Sequence, residues 1–562
     1  MKSDAGSSDL YHLLALIELE RDQLDAAEKS ARKSVQLNPS NGTAYNTLAL
    51  IFRSRNRYGA ALKAIEQAWK NRPGQLDIGL NRIDILFALN DLEGSKSACL
   101  ELLASHPGVT GIVIRLSHIH EAEGDWLKAG ELLKGWSPQH AGYEEVLLEY
   151  SRVLIHLGET ATAVSVLEGA ISTYRDARLM GDLAELYEIS NRLPEAREKA
   201  LSALELDPEN MVARLVLAKV ERRAGDFTAA LGTLQAGSSQ RSQPAHDAAR
   251  YYELGRVHDA LSNYEEAFAS YEKANRIVHD IWGDREVHDD PRRFSEGINL
   301  LPDQERLQRF ARSDISPVFM IGFPRSGTTL LHTILAQHSG ILVLDEMPYL
   351  TDKVSELQAM HPDVGYPGIL AELQKDETER LAADYLGEIQ HADRLVIDKL
   401  PLNTLHIPLI LSLFKHPRFI FSLRHPFDVC LSAFFQNFQL NASMAEFLDL
   451  KSTASFYSAV MDCWLACQRR YQFTSVTVRY EDLLEGPEPS LRGVLSLLEI
   501  EWDDSLLNDE KRVANSPVVS TSSYHQVSRP IYRHSLNRWQ HYEAQLSGIR
   551  PDLEKYISTF GY

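Results

Sequence analysis

Cysteine is scarce in this chain of 562 residues: it has four. Four are too few for a disulfide scaffold, so the fold must rest on packed cores. Cys463 and Cys467 stand four apart on a helical pattern. They read as buried helix residues rather than a metal pair, and no other group has metal-ligand spacing, so no metal is expected. Long apolar runs are missing too. Nothing approaches the ~20 consecutive apolar residues of a membrane helix. The opening residues, Met1-Lys-Ser-Asp-Ala-Gly-Ser-Ser8, hold no apolar signal core. A cytoplasmic protein without a membrane span is expected. Positive charge is short as well: 58 Lys and Arg against 78 Asp and Glu leave a net charge of −20. That argues against a nucleic-acid partner and against adsorption to acidic membranes. Solubility alone accounts for the acidity, and any anionic ligand must be held by a local cationic pocket.

The chain is too long for one core, so two or more domains are expected. The first half is periodic. Pro39, Pro73 and Pro107 sit 34 residues apart, and so do Ala27, Ala61, Ser95, Ala129 and Ala163. The series continues at Ala196, Ala230 and Ala267 with small adjustments. Small residues at the close helix crossing, with Pro at the end of a 34-residue unit, form the tetratricopeptide (TPR) pattern. It predicts about eight repeats over 8–278. A coiled coil is the competing helical reading, but the many Gly, Pro and Asn breaks oppose it. Such a superhelix has a concave face suited to a peptide or protein partner. Forming a homodimer or positioning a second domain are the alternatives. The polar stretch 236–244 reads as a loop between the last two repeats, and 279–316 as a linker or capping segment.

The second half turns on Phe319 to Leu335. An apolar run from Pro317 to Gly322 reads as a short buried strand. Pro324-Arg-Ser-Gly-Thr-Thr329 follows, and then an apolar helix pattern. A strand, a Gly-containing turn and a helix start build an anion site, because free backbone N–H groups and the positive dipole end converge there. Arg325 adds a fork of donors. Ser326, Thr328 and Thr329 add hydroxyls beside Gly327. The loop is phosphate-binding in style, yet it lacks the Gly-Lys-[Ser/Thr] ending of a triphosphatase loop.

On this motif, residues 317–540 resemble a sulfotransferase that uses PAPS, 3'-phosphoadenosine 5'-phosphosulfate. The resemblance is to tyrosylprotein sulfotransferases and to bacterial sulfotransferases fused to TPR repeats, whose 5'-phosphosulfate loop reads Pro-Arg-Ser-Gly-Thr-Thr. It implies a P-loop-like sulfotransferase domain over 317–562, with a mostly parallel, doubly wound sheet behind the TPR superhelix. Strands alternating with helices agree with that class, and the cofactor should lie across the strands' C-terminal edge.

The resemblance also implies roles. Gly340-Ile-Leu-Val-Leu-Asp-Glu346 reads as a strand ending in two acids, and Glu346 lies 21 residues after Arg325, the spacing of the catalytic base in the tyrosylprotein relatives. Glu346 is therefore the expected general base and Asp345 its rival; the plainer reading is that both cap the next helix. Lys399 ends another apolar strand and would stabilise the leaving phosphate's bridging oxygen. Arg424 and Ser432, eight apart, match the 3'-phosphate motif. The relatives often place an arginine four residues on, where this chain has Gln436. Tyr480 aligns with an adenosine-side contact, although a packed aromatic fits too. Ser523 and Arg538 match a serine and a lysine of the C-terminal cofactor lid.

The expected chemistry is in-line sulfuryl transfer from PAPS to an acceptor hydroxyl, leaving PAP. Arg325, Lys399 and the loop N–H groups would hold charge and Glu346 would take the proton. The acceptor is open: a protein or peptide tyrosine, a glycan, a lipid or a small phenol. Tyrosylprotein enzymes carry an arginine two residues after the base, and here that position is Pro348. The alternative functions are a P-loop kinase, disfavoured by the missing loop lysine, and a non-catalytic TPR scaffold with a nucleotide-binding relic domain.

Overall fold

The computed structural model describes residues 2–136, 140–236, 243–283, 297–298, 301–389, 394–508 and 536–562, with side chains from residue 7 onward. The first part is all helix. Among the described residues sixteen helices, from Lys2–Glu20 to Tyr264–Trp282, follow one another as eight helix–turn–helix units. The eight small residues of the 34-residue series are each fully buried at the helix crossings. A larger side chain there would force the helices apart. Each hairpin also reverses through a left-handed residue: Asp22, Asn56, Asn90, Gly124, Gly158, Asn191, Gly225 or Ser262. This second series keeps nearly the same period. It falls on glycine and short polar residues, because they tolerate that conformation best.

The chain divides into two compact units, Met1–Val220 and Glu221–Tyr562. The last hairpin, Pro244–Ala260 (α1) and Tyr264–Trp282 (α2), therefore belongs to the unit that holds the sheet. Its residues are core residues of that unit. Tyr271 stacks on Phe435 with centroids 3.9 Å apart, and Phe268 stacks on Phe434 at 5.4 Å. Asn275 donates to the Phe434 carbonyl at 3.0 Å.

Among the described residues the sheet has five strands: β1 (Val318–Gly322), β2 (Ile341–Asp345), β3 (Leu395–Lys399), β4 (Arg418–Leu423) and β5 (Thr474–Arg479). All neighbours are parallel, in the order β2-β3-β1-β4-β5. β1 is buried along its whole length, as a parallel strand covered on both faces must be. Its alternate residues separate the two layers. Val318 and Met320 pack with Leu331 of the loop helix α3 (Thr328–Leu335) and with Leu491 and Val494 of a later helix. Phe319 and Ile321 pack in the larger core with α4 (Pro426–Phe434) and α5 (Leu450–Arg470). Cys463 and Cys467 are free and buried in α5. From β1 the chain runs outward to β2, then returns through β3 and crosses to β4. That reversal leaves a crevice at the C-terminal end of β1, where ligands bind in sheets of this type. Among the described residues no helix is long and apolar enough to cross a membrane.

Candidate active site

The loop after β1 occupies that crevice. Arg325 has φ 73° and Gly327 φ 97°, both left-handed, before α3 begins at Thr328. Ser326, Thr328 and Thr329 are buried. The Ser326 hydroxyl has no protein hydrogen-bond partner among the described residues. Gly327 must be glycine twice over: its φ is positive, and a Cβ there would lie 2.5 Å from the Tyr480 ring. Gly322 is equally confined, since a Cβ would meet the Ser422 carbonyl at 2.5 Å. The end of β1 is clamped by Thr404, whose hydroxyl accepts from the Gly322 N–H at 2.9 Å and donates to its carbonyl at 2.8 Å.

Three further residues meet the loop, two from the ends of neighbouring strands and one from a helix. Arg424, at the end of β4, donates to the Arg325 carbonyl at 3.3 Å and lies 4.6 Å from the centroid of the Tyr480 ring. Tyr480 follows β5 and is half-buried. Arg325 Nε donates to Ser432 Oγ of α4 at 3.1 Å. Arg325, Arg424, Ser432 and Tyr480, widely separated in sequence, thus converge beside one loop. Gln436 follows the end of α4 and is half-buried.

A second group forms where β2 and β3 end side by side, with Asp345 paired to Lys399 in the ladder. The Lys399 side chain is wholly buried. Its ammonium donates to Asp345 Oδ1 and, at 2.9 Å, to Glu346 Oε1. Glu346 is left-handed at φ 55°, held there as its N–H donates to the Lys399 carbonyl at 2.8 Å. Its side chain is 37% exposed against 25% for Asp345. Burial pushes the Asp345 carboxyl up, but a contact from His332 and the Lys399 charge outweigh it and hold the group at about 2. A group so acidic is a poor proton acceptor near neutral pH.

Ser523 lies outside the described residues. Arg538 is described, and its partner is Asp259 of α1: Nε donates at 3.1 Å, and the guanidinium lies over Phe435. Asp428 of α4 secures the same segment by accepting from the N–H groups of Asn537 at 3.0 Å and Trp539 at 2.9 Å. Thr404, His332, Asp428 and Asp259 were not singled out from sequence. Asp259 and Arg538 are 279 residues apart, and no local motif carries that pairing.

The loop fits a phosphate-bearing group. It offers two guanidinium groups, an unpartnered buried hydroxyl and a glycine cradle. For a metal, the one candidate trio among the described residues is His118, Glu121 and Glu149, far from this loop in sequence. The Arg152 guanidinium already pairs with both of its carboxylates.

Comparison with known proteins agrees with this layout. Residues 317–504 match the model of the sulfotransferase family. Residues 12–75, 46–110, 151–210 and 215–278 match the tetratricopeptide repeat. An uncharacterized protein of Aquifex aeolicus (strain VF5) is 24% identical over 582 aligned positions, covering 90% of this chain and 75% of that one. The protein-tyrosine sulfotransferase of Drosophila melanogaster is 22% identical over 285, covering 47% of this chain. The match spans 54% of the fly protein's own length. A crystal structure of a thermophilic TPR protein from Thermus thermophilus aligns with 32% of this chain and 98% of its own, at 24% identity and a TM-score of 0.27. The chain thus joins an array of tetratricopeptide repeats to a domain of the sulfotransferase family.

Proposed function

We propose that this protein transfers a sulfuryl group from PAPS to an acceptor hydroxyl, with Glu346 as general base. The observation that carries the reading is the pairing at the ends of β2 and β3. A wholly buried lysine meets an accessible carboxylate at 2.9 Å, beside a loop built for an anion. When bound, PAPS supplies an activated sulfuryl group and a phosphate leaving group. Arg325, the loop N–H groups and the hydroxyls of Ser326, Thr328 and Thr329 would hold the 5'-phosphosulfate end. Arg424 and Ser432 would hold the 3'-phosphate, with the Tyr480 ring on the adenosine side. Lys399 would meet the charge that grows on the leaving oxygen. Glu346 would accept the acceptor's proton, and its exposure supports that choice over Asp345. Ser523 stays in the proposal on resemblance alone. Arg538 stays in it on the same ground, with its guanidinium paired to Asp259 in this structure.

A protein tyrosine is the acceptor class suggested by relatives such as the fly enzyme. Pro348, where those relatives carry an arginine, keeps glycans, lipids and small phenols in the search. The concave face of the repeats would hold a peptide or protein partner. The test is PAP formation from PAPS with a mixed acceptor pool, wild type beside Glu346→Ala. Loss of about 10²–10⁴ in rate with PAP binding retained is the expected result. Normal turnover by the variant would remove Glu346 from the role. PAP binding without turnover in any pool would favour a nucleotide-binding scaffold.

A further inference from the structure

Asp345 has no role in that reaction scheme, yet it is held more firmly than Glu346. The Lys399 ammonium touches both carboxylates. Asp345 Oδ1 also faces His332 Nδ1 at 3.7 Å, an ion-pair distance too long for a hydrogen bond. His332 is 5% exposed and sits on α3, the helix that opens from the loop. Its Nδ1 has no hydrogen-bond partner among the described residues. A contact chain therefore runs from the loop helix through His332 and Asp345 to Lys399, and ends on Glu346.

The arrangement resolves a conflict in the scheme. A buried lysine with one carboxylate partner closes onto it, and a base locked in such a pair is weakened. A second, more buried carboxylate balances the ammonium and keeps its direction fixed. We propose that Asp345, braced by His332, is the positioning residue for Lys399, and that by balancing its charge Asp345 leaves Glu346 able to take the acceptor's proton. This rests on the sulfuryl-transfer reading above. Among the described residues, the charged and titratable groups facing Asp345 are Lys399 from β3 and His332 from α3, with Glu346 on the same ammonium.

The test uses the full chain and two measurements: PAP binding by calorimetry, and PAP formation from PAPS with pooled acceptors across pH. Asp345→Asn keeps the shape and removes the charge. PAP, a polyanion, should bind as well as before or about 3- to 10-fold tighter, because one negative charge has left its surroundings. Turnover should fall about 10- to 100-fold as Lys399 loses its direction. The acidic limb of kcat/KM should move to lower pH, because Lys399 then acts on Glu346 without the opposing charge. His332→Gln leaves Asp345 in place and should lower turnover in the same direction. The double variant should be no worse than Asp345→Asn alone, as expected for residues acting in series.

Several outcomes would overturn the proposal. Wild-type turnover with an unmoved limb would make Asp345 idle. Weakened PAP binding by a folded variant would make its role structural. Turnover as low as that of Glu346→Gln would make Asp345 the base itself. If the wild type bound no PAP, the sulfuryl-transfer reading would fail and this proposal with it.

Discussion

The two parts of this molecule use the same unusual backbone conformation for opposite ends. In the helical repeats, left-handed residues sit between helices and are Gly, Asn, Asp or Ser. Beside the sheet, two of them are Arg325 and Glu346. A left-handed residue with a Cβ costs roughly 1–2 kcal/mol. Where the chain only has to reverse, tolerant residues lower that cost. Where a side chain must face a crevice, the charged residue is kept and the strain remains, as it often does at functional sites. Repeat turns should therefore tolerate substitution, and loop turns should not.

Gly327 and Gly158 give the widest separation. Both are left-handed, but a Cβ at Gly158 meets nothing within 4 Å, whereas at Gly327 it strikes Tyr480. Gly158→Ala should cost about 1–2 kcal/mol from backbone conformation alone. Gly327→Ala adds a steric clash and should cost about 2–4 kcal/mol, with loss of PAP binding. Paired thermal melts and PAP titrations measure both. Equal costs would mean that the Tyr480 ring yields freely and that the contrast between the two regions is only nominal.

The last hairpin tests where the boundary between the two behaviours lies. Asp259 on α1 accepts from Arg538 and from the Tyr542 hydroxyl. Asp259→Ala leaves a half-buried guanidinium and a buried hydroxyl without this acceptor and should cost about 1–3 kcal/mol. If Arg538 serves as an anchor, Arg538→Ala should cost a similar amount, the double variant little more, and PAP affinity should not move. Weakened PAP binding in Arg538→Ala alone would return that residue to the cofactor site.

These contrasts also show what could be read from sequence. The 34-residue series of small residues and the Pro-Arg-Ser-Gly-Thr-Thr loop are local patterns, each tied to one helix crossing or one turn, and both can be followed along the chain. Lys399 and Glu346 could be singled out because each ends an apolar strand. Thr404 could not, because its hydroxyl serves Gly322 from 82 residues away and Thr404 looks like any residue near a helix start. His332 reads as one more residue of an apolar helix until β2 brings Asp345 beside it. The left-handed turn residues were legible in principle: Asn56, Asn90 and Gly124 repeat as regularly as the alanines, but irregular residue types hide the period.

A smaller effect should appear on acidification. Burial, with help from the Arg424 charge, pushes the His425 imidazole down to about 4. An unfolded histidine titrates near 6.5. Between those values the unfolded chain binds more protons than the folded one, so this group's contribution is complete above pH 6.5 and falls away toward pH 4. His425→Gln should flatten that part of the stability-versus-pH curve in the sheet-bearing unit. An unchanged slope would assign the acid sensitivity to other groups.

The finest test is a substitution expected to help the fold while stopping the chemistry. Glu346 is left-handed and half-exposed, so Glu346→Gly removes backbone strain without opening a cavity. Gly also gains freedom in the unfolded chain, which offsets part of the benefit. The net should be a stabilisation of about 0–1 kcal/mol, against the rate loss expected for removing the base. Asn56→Gly, the matching change in a repeat turn, should shift stability by less than about 0.5 kcal/mol, since Asn already tolerates the conformation. A stabilised but inactive Glu346→Gly would mean that the residue is retained against the preference of the backbone. A destabilised one would mean that its bond to Lys399 contributes more to the fold than the strain costs, and the contrast between turn and site would then rest on Arg325 alone.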